Sequence, residues 1–255
     1  MRKIIVPVLL LLILTLWINP AAAIVYGTLD GNDHPNVALL SALNLNLERI
    51  AVCSGVLIGE RVVLTAGHCT ALLEQVQVST VKVSFDSTNA LVNGLQDVEM
   101  IITHPGFVDG KQGHDVGLVI LKDAPGLQVA ALPGEGDLDG LDLRGTTYNV
   151  VGYGAYLDQG DKPKDVKSAD GKRRVAVSGY QKLLNTLLRL SQVQARDEGG
   201  SCFRDSGGPV FLKAGGTEKL VAIVSSGDGA CVAMSNNYRL DIADSLDFIQ
   251  ENLPQ

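Results

Sequence analysis

Short apolar segments with alternating polar positions recur along most of the chain, and glycine, asparagine and aspartate separate them. This pattern is typical of short β-strands joined by turns, and it predicts an all-β protein. The predicted strands are residues 51–58, 61–65, 81–85, 117–121, 148–151, 187–191, 210–212 and 220–224.

Convincing helical periodicity occurs only near the carboxyl end. In segment 241–253 the apolar side chains follow steps of three and four residues, at Ile242, Leu246, Ile249 and Leu253. This spacing predicts an amphipathic terminal helix. Segment 181–193 is ambiguous, because four of its leucines fit a helix whereas residues 188–190 alternate like a strand. We favour a strand there.

Two segments lack a regular pattern. Segment 122–134 is rich in glycine, proline and alanine, and we expect it to link two halves of the protein. Segment 158–174 is dense in aspartate, lysine and glycine, which predicts an exposed loop without a specific role. An exposed loop of this kind is also the segment most open to proteolytic nicking.

Residues 1–23 have the organisation of a secretory signal peptide. Arg2 and Lys3 are followed by a nearly continuous apolar segment, 4–18, and residues 21–23 are the small side chains that signal peptidase accepts. An uncleaved membrane anchor is the alternative, but about 15 apolar residues are fewer than the roughly 20 that a spanning helix needs. We therefore expect cleavage, and a mature chain of residues 24–255 that is not held in a membrane.

The charge balance argues against two classes of partner. The chain has 28 acidic residues and 21 Lys and Arg, and removal of the leader would change its formal net charge from −7 to −9. Such an acidic chain is expected to bind neither nucleic acid nor anionic membrane surfaces.

The four cysteines lie in a chain that is expected to enter an oxidising compartment, where an even number indicates two disulfides. They are Cys53, Cys69, Cys202 and Cys231. Three pairings are open, and pairing of the close neighbours would close two local loops. No Cys-x-x-Cys spacing occurs, which argues against a zinc site built from these thiols.

Three short segments carry residues suited to nucleophilic catalysis: 64–69 (LTAGHC), 115–121 (DVGLVIL) and 202–209 (CFRDSGGP). Each has an ordinary interpretation when taken alone, as a histidine beside a disulfide, an aspartate that opens a strand, and a turn. Together they supply a base, a group that orients the base, and a nucleophile.

The chemistry explains why these three residue types are needed. A serine hydroxyl is a poor nucleophile at neutral pH, so His68 would accept the proton of Ser206 as that oxygen attacks a carbonyl. Asp115 would hold the imidazole in the useful tautomer and stabilise its positive form. The remaining histidines are weaker candidates. We expect surface turns at the two that precede proline and a side chain that points away from Asp115 at the third, namely His34, His104 and His114.

In this combination the chain resembles the trypsin and chymotrypsin family of serine peptidases, in particular secreted members of bacterial type. The resemblance covers essentially all of residues 24–255. Cys53 and Cys69 have the family's spacing, and His68 directly precedes the second cysteine. Residues 152–154 (GYG) resemble the family's Gly-aromatic-Gly strand.

The resemblance implies the fold: two packed six-stranded antiparallel β-barrels, all-β apart from a C-terminal α-helix. Residues 24–123 would form the N-terminal barrel. Residues 124–255 would form the C-terminal barrel and the terminal helix, and the two barrels together would make one peptidase domain.

The resemblance also implies roles for individual residues. The disulfides would be Cys53–Cys69 and Cys202–Cys231, the second of which flanks the substrate pocket. Ser225 would line the cleft and support the catalytic aspartate. The backbone N–H groups of two residues would stabilise the oxyanion that forms from the substrate carbonyl, namely Arg204 and Ser206.

Arg204 departs from the family pattern, because the usual residue at this position is glycine. Glycine relaxes the limits on the backbone and leaves room beside the leaving group. An arginine can still donate its N–H, and two interpretations stay open. Its long cation would guard the leaving-group side against bulky protein inhibitors and favour acidic residues there, or it is a tolerated surface residue that slightly impairs catalysis.

The primary specificity pocket is expected to be neutral. Its implied residues are Gly200 at the base, Ser201, Ser225 and Gly227. Cleavage after lysine or arginine normally needs an aspartate at the base, so we expect uncharged apolar side chains at the cleavage site. Three other residues could still reach the pocket, namely Asp228, Asn236 and Asn237.

Residues 24–27 (IVYG) resemble the new amino terminus that activates members of the family. There the ammonium group folds inward and pairs with the aspartate before the nucleophile, which is Asp205 here. A buried ion pair offsets its desolvation only when the geometry is good, so it can act as a switch that orders the oxyanion loop. Cleavage after Ala23 would then both release and activate the protein. The alternative is that Ile24 and Val25 merely begin the first strand.

The sequence therefore predicts a secreted serine endopeptidase, extracellular or periplasmic, that hydrolyses peptide bonds through an acyl-enzyme. Its expected partners are polypeptide substrates and protein inhibitors of peptidases, and we expect a monomer. No cofactor and no metal are expected, because the family's acidic calcium-binding loop is not evident near Glu74.

Two other functions are alternatives. The first is a peptidase-fold binding protein with weak or no catalysis, because Arg204 replaces the glycine of the oxyanion hole. The second is an α/β-hydrolase esterase, which is disfavoured because Arg204 interrupts the Gly-x-Ser-x-Gly motif around Ser206 and because the order of the catalytic residues differs.

Overall fold

The computed structural model describes residues 24–111, 113–214 and 216–253, so the predicted signal peptide at 1–23 lies outside the described residues. A two-residue strand, β1 (Thr28–Leu29), comes first. The strands of the first barrel follow: β2 (Val37–Leu43), β3 (Arg49–Gly59), β4 (Val62–Thr65), β5 (Lys82–Ser84), β6 (Gln96–Thr103) and β7 (Gly117–Leu121). Antiparallel pairing closes them in the order β2-β3-β4-β7-β6-β5.

The second barrel is built from six further strands: β8 (Thr147–Gly152), β9 (Arg174–Leu183), β10 (Leu187–Ser191), β11 (Pro209–Ala214), β12 (Thr217–Gly227) and β13 (Met234–Arg239). They pair in the order β9-β10-β13-β12-β11-β8, and an antiparallel β8–β9 pairing closes the ring. The predicted pair of six-stranded antiparallel barrels is confirmed. All eight predicted strands coincide with strands of the structure, and segment 181–193 contains the end of β9 and all of β10.

The described residues contain two α-helices, α1 (Gly67–Leu73) and α2 (Ala243–Asn252). The second confirms the predicted terminal helix, whereas the first was not predicted. Neither helix has the length and apolar character needed to cross a membrane, as judged over the described residues.

The two ends of the described chain each pack on the opposite barrel. β1 pairs with β9, and Ile24 joins the apolar core of the second barrel. At the other end, Phe248 and Ile249 of α2 join an apolar cluster that fills the first barrel and extends into the second, and Phe248 packs on His104 of the first half. The ends therefore tie the barrels together across the groove. The division between residues 123 and 124 falls in the segment between β7 and β8, and it stays a prediction.

The prediction of an exposed loop at 158–174 is wrong at its end. Residues 158–170 are exposed or partly exposed, but the side chains of Arg173 and Arg174 are fully buried. The Arg173 guanidinium donates to the Asp30 carboxylate at 2.7 Å and to the Tyr153 hydroxyl at 3.1 Å, and its other bonds go to backbone carbonyls. A buried cation with every nitrogen bonded is a structural anchor.

The prediction of a surface turn at His34 is also wrong. His34 is 8% exposed, and its ring lies between the carboxylates of Asp30 and Glu218, with Nε2 2.7 Å from the latter. Burial by itself would lower the pKa of His34, but the hydrogen bonds to Asp30 and Glu218 outweigh it and raise the pKa. Asp30 therefore joins two buried cationic side chains, His34 and Arg173.

We expect Asp30→Ala to lower the free energy of unfolding by about 3–5 kcal/mol, because it leaves the cations of Arg173 and His34 buried without their carboxylate. Urea unfolding at pH 6 in an inactive background measures the change. Glu218→Gln is the matched control, because Glu218 is partly exposed, and a loss below about 1 kcal/mol is expected there.

The pH dependence of this network has a defined sign. Because the folded pKa of His34 is raised above its ordinary 6.5, its contribution is complete below that value and is lost as pH rises through the folded pKa. The destabilisation by Asp30→Ala should therefore shrink above neutral pH. An equal loss at pH 6 and pH 9 would contradict the role of His34.

Candidate active site

His68 lies in the first turn of α1, directly after β4. Its backbone N–H donates to Oδ1 of Asp115 at 2.9 Å, and its ring Nδ1 lies 3.0 and 3.1 Å from the two oxygens of the same carboxylate. This close approach favours glycine at residue 67, because a Cβ there would lie only 3.1 Å from the carbonyl oxygen of His114 and from the amide nitrogen of Val116. The helix start is thus pressed against the segment that carries the carboxylate.

Asp115 precedes β7 and is 7% exposed. Its Oδ2 accepts a hydrogen bond from the Ser225 hydroxyl at 2.5 Å. Burial would raise the pKa of Asp115, but the hydrogen bonds from His68 and Ser225 hold it below its ordinary value. An ionised carboxylate on Nδ1 favours the tautomer with the proton on Nδ1, which leaves a lone pair on Nε2 for use as a base.

Ser206 lies in the turn before β11 and is partly exposed. Its carbonyl accepts the Ser54 N–H at 2.9 Å and lies 3.6 Å from the sulfur of Cys69, the residue after His68. Among the hydrogen bonds of the described residues, none joins the Ser206 hydroxyl to the His68 ring. Such bonds are often long without substrate and tighten when it binds.

The backbone before Ser206 presents two N–H groups. The carbonyls of Phe203 and Asp205 accept backbone donors at 2.7 and 2.8 Å. In a trans peptide the N–H points away from the carbonyl of the same peptide. The N–H of Arg204 therefore points away from the Phe203 carbonyl and its donor, and the N–H of Ser206 points away from the Asp205 carbonyl and its donor. Neither has an acceptor within the described part of the chain. Two such donors beside a nucleophile can stabilise an oxyanion.

Arg204 adopts the left-handed region, with φ at 77°. Such a conformation costs an L-residue about 1–3 kcal/mol, which explains why glycine is usual here. The Arg204 carbonyl accepts the Ser54 hydroxyl at 3.2 Å, and the exposed guanidinium donates to the carbonyl of Ala51 in β3 at 2.7 Å. The side chain is therefore fastened along the first barrel.

Ser54 was missed in the sequence, where it is one polar residue within a predicted strand. Its N–H and hydroxyl hold the carbonyls of Ser206 and Arg204, and the hydroxyl also accepts the Tyr153 N–H at 3.0 Å. Only its position beside Cys53 could have signalled this role. Ser54 fixes the loop that bears both N–H donors.

A cavity of about 250 Å³ opens beside Ser206, and Ser201, Ser225 and Gly227 line it. Gly200 does not belong to the lining. Its N–H and carbonyl pair with Val25 at 3.1 and 2.9 Å, and a Cβ there would lie 2.3 Å from the side-chain oxygen of Gln192. The structure therefore leaves no room for an acidic side chain at residue 200.

Of the three residues that could also reach the pocket, only Asp228 lines the cavity. Its oxygens accept the N–H groups of residues 232–234 at 2.9–3.2 Å. Burial would raise the pKa of Asp228, but these donors hold it below its ordinary value. The side chain of Asn236 accepts from Arg189 instead, and Asn237 is fully buried and donates to the Leu188 carbonyl.

A second cavity, of about 310 Å³, adjoins the other side of His68. It was not predicted, because its walls come from distant segments: Phe107, Asp115, Leu187, Ser226 and Tyr238. Ser225 and Ser226 line both cavities. Ser225 and Ser226 of β12 therefore separate two cavities, one beside Ser206 and one beside His68.

Two disulfides brace this region. Cys53–Cys69 joins α1 to β3, with the Cα atoms 6.2 Å apart. Cys202–Cys231 joins the loop of Ser206 to the loop after β12, with the Cα atoms 5.2 Å apart, and both cysteines line the pocket. This is the pairing that the resemblance implies.

Ile24 and Val25 are fully buried, and Val25 forms an antiparallel bridge with Gly200. Asp205 is also fully buried, and its oxygens accept the N–H groups of Gly154 and Cys202 at 2.8 and 2.9 Å. No salt bridge reaches Asp205 from the described residues. Burial is the main reason that its pKa is raised to about 7.

The trypsin family model matches residues 33–244. Lectizyme of Glossina austeni is 29% identical over 195 residues, which cover 71% of this chain and 69% of that protein. Vitamin K-dependent protein C of Rattus norvegicus is 28% identical over 235 residues, which cover 84% of this chain and 48% of that protein. The chain thus spans about half the length of protein C.

A solved structure of HL collagenase superposes with a TM-score of 0.67 at 20% identity, and the match covers 91% of this chain and 97% of that one. This similarity shows the fold alone. Fold and matched family define a two-barrel protein of the serine-peptidase class. The chain belongs to the trypsin family.

Proposed function

We propose that this protein is a secreted serine endopeptidase in which Ser206, His68 and Asp115 form the catalytic triad. One observation carries the proposal: the His68 backbone and ring both engage the Asp115 carboxylate, and the unpaired N–H groups of Arg204 and Ser206 lie beside the nucleophile. Export is supported by the two disulfides and by membership of the trypsin family, whose members are generally secreted.

The chemistry follows from these positions. The substrate carbonyl oxygen is held by the N–H groups of Arg204 and Ser206, and the Ser206 hydroxyl oxygen attacks the carbonyl carbon as His68 Nε2 takes its proton. His68 then gives this proton to the leaving amine, and an acyl-enzyme remains. Water attacks the ester next as His68 takes its proton, and His68 returns that proton to the Ser206 oxygen as the acid product leaves. Asp115 stabilises the imidazolium in both halves.

Cleavage-site profiling on a mixed peptide library, combined with a serine-reactive phosphonate probe, tests the assignment. We expect cut peptides and one modification, on Ser206. An intact library and an unlabelled protein, in a preparation that begins at Ile24, would favour the binding-protein alternative.

For specificity we propose uncharged apolar side chains on the acyl side of the cut bond. The lack of room for a side chain at Gly200 and the bonded carboxylate of Asp228 support this. A cavity of about 250 Å³ is large enough for an aliphatic or aromatic side chain. The same library reports this preference, and dominant cleavage after lysine or arginine would refute it.

The structure gives no support to the idea that Arg204 disables the oxyanion hole. The arginine backbone adopts the left-handed conformation, its N–H is unpaired, and its side chain is bound to the Ala51 carbonyl, away from the position of the oxyanion donors. We propose that the guanidinium instead borders the leaving-group side of the cleft. There it would favour acidic substrate residues and hinder bulky inhibitors.

Arg204→Gly is expected to change kcat on a short peptide amide by less than about threefold, because the N–H donor stays. The same change should tighten binding of a protein inhibitor roughly 10-fold or more and remove the preference for acidic leaving groups. Steady-state kinetics and inhibitor titration measure both. Arg204→Gln keeps the bulk and loses the charge, so it should lose only the acidic preference. Unchanged inhibitor affinity and unchanged preference would refute this role.

We also propose that cleavage after Ala23 activates the protein, because the new ammonium of Ile24 would pair with Asp205. Two observations support this: Ile24 and Val25 are buried, and the buried Asp205 carboxyl has no salt bridge within the described part of the chain. Ile24 has φ at 62°, which is costly for a β-branched residue with a carbonyl before it. Removing that carbonyl removes the steric limit on φ. Amino-terminal sequencing of the secreted protein should find Ile24, and a start at Ala22 or earlier would require another protease.

A further inference from the structure

Three side chains outside the catalytic residues converge beside the segment that leads to Asp115. His114 Nδ1 lies 2.6 Å and His104 Nε2 lies 3.6 Å from Oδ1 of Asp244, a residue in the first turn of α2. The two imidazole rings stack with centroids 4.8 Å apart, and His104 also packs on Phe248. Two imidazoles and one carboxylate form a donor set that binds zinc-class ions.

We propose that His104 Nε2, His114 Nδ1 and Asp244 Oδ1 bind one divalent transition-metal ion of the zinc class, with the fourth position open to water. Donor atoms about 2.0–2.1 Å from a tetrahedral ion lie about 3.3 Å from one another. The three atoms already lie within 4.8 Å of one another, and two of the separations are 2.6 and 3.6 Å. Side-chain adjustments therefore suffice to form the site.

The surroundings favour a cation. Asp247 and Glu251 follow Asp244 by three and seven residues, so they share its face of α2, and all three line one cavity together with His104. Neither Asp247 nor Glu251 has a salt bridge with a cationic side chain of the described chain. Their negative potential would raise the local concentration of a divalent ion.

The ring of His104 limits the affinity. Its Nδ1 accepts the Gly106 N–H at 3.0 Å, so the neutral ring carries its proton on Nε2, the atom that must bind the ion. Binding shifts this proton to Nδ1 and breaks the bond to Gly106, whereas strong structural sites donate the second ring N–H to an acceptor. We therefore expect micromolar rather than nanomolar affinity, which suits a reversible regulator.

Nothing in the sequence pattern indicates this site, because its ligands come from three separate segments. The sequence led us to expect no metal. The expectation rested on the missing acidic loop near Glu74. That argument concerns one local calcium motif, and it does not address ligands that only the fold brings together.

The site is connected to the proposed catalytic aspartate. His114 directly precedes Asp115 and has φ at 56°, and its N–H donates to the Tyr238 hydroxyl at 2.8 Å, which in turn donates to Asp244 at 2.5 Å. Insertion of an ion would lengthen the distance between His114 Nδ1 and Asp244 Oδ1 by roughly 0.7 Å, from 2.6 Å to about 3.3 Å. This consequence rests on the proposed function: a displaced Asp115 should lower kcat about 10-fold and leave KM nearly unchanged.

Cobalt titration of the protein beginning at Ile24 tests binding without reference to activity. We expect one Co²⁺ per chain, visible absorption of tetrahedral strength, and displacement by Zn²⁺. His114→Asn and Asp244→Asn should each weaken binding at least 10-fold. Asparagine tolerates the left-handed conformation, so the first variant should keep its fold. Glu251→Gln keeps all three ligands and should bind within about threefold of the parent.

His68→Ala separates this site from metal bound by the catalytic histidine, and it should bind Co²⁺ as the parent does. Lack of tetrahedral absorption, full binding by His114→Asn, or loss of binding in His68→Ala would each overturn the site. Binding without a fall in kcat would overturn the connection to Asp115. A chain that binds Co²⁺ but cuts no peptide would support the site and refute the proposed peptidase.

Discussion

Ser206→Ala is expected to lower kcat about 10⁶-fold on any peptide substrate, the loss typical of removing the serine of such a triad. The proposed mechanism passes through an ester on this oxygen, and no other hydroxyl of the described chain lies in the turn with the two unpaired N–H groups. What remains should be the contribution of substrate binding and of those N–H groups, roughly 10³–10⁴-fold over water. Burst and steady-state kinetics on a peptide ester measure the loss.

Ser226→Ala is the matched control, because Ser226 lines both cavities beside the catalytic residues but has no role in the mechanism. Its kcat should stay within about threefold of the parent. A residual activity above about 1% in Ser206→Ala, with Ser226→Ala reduced instead, would move the nucleophile to the other serine and end the proposed triad.

The eight strands that the sequence predicted correctly are short apolar segments, alternating or continuous, next to turn residues. Two of the missed strands, β2 and β13, show different physical reasons for the failure. β2 has a continuous apolar stretch, Val37 to Leu40, that is buried on both faces, and such a stretch fits a buried helix as well as a strand. β13 is polar in sequence, yet Ser235 and Asn237 are fully buried and hydrogen-bonded inside the barrel. The local sequence pattern does not show that both faces of a strand are buried, nor that polar side chains are hydrogen-bonded inside a barrel.

The sequence predicted those parts of the candidate site whose residues are neighbours in the chain. His68 next to Cys69, and Ser206 within a short glycine-rich motif, can be recognised because neighbouring residues are needed together. Three other features depend on contacts between residues far apart in the chain, so no short segment of sequence contains them. They are the contacts of Ser54, the second cavity beside His68, and the cluster of His104, His114 and Asp244. His34 failed for a related reason: the proline after it favours a turn, but the ring is held between the nearby Asp30 and the distant Glu218 and stacks on Phe211.

The amino terminus provides the second large effect. We expect a chain that keeps Ala22 and Ala23 before Ile24 to be at least about 10³-fold less active than the chain beginning at Ile24. Without the ammonium, the Asp205 carboxyl is held only by the N–H groups of Gly154 and Cys202. We expect the N–H donors of Arg204 and Ser206 then to be less firmly aligned, and removal of a single such donor costs about 10²–10³ in kcat. Active-site titration with a covalent probe and kinetics on one substrate measure the difference.

Asp205→Asn tests the same ion pair from the other side and adds a pH dependence with a defined sign. In the extended chain, burial raises the pKa of Asp205 to about 7 from its ordinary 3.8. The folded state then keeps a proton that the unfolded state loses, so stability is highest below about pH 4 and falls as pH rises towards 7. The asparagine side chain carries no titrating proton, so this fall should vanish when the substitution is made in the extended chain.

In the chain beginning at Ile24, the proposed ion pair would keep the Asp205 carboxylate ionised near neutral pH, and it should weaken as pH rises above about 8, the ordinary pKa of an α-amino group. There Asp205→Asn should abolish most of the activity, because the ammonium loses its charged partner and the oxyanion loop loses its support. Equal activity of the two chains, with or without Asp205, would mean that the burial of Ile24 is structural only and that the oxyanion loop forms without an ion pair.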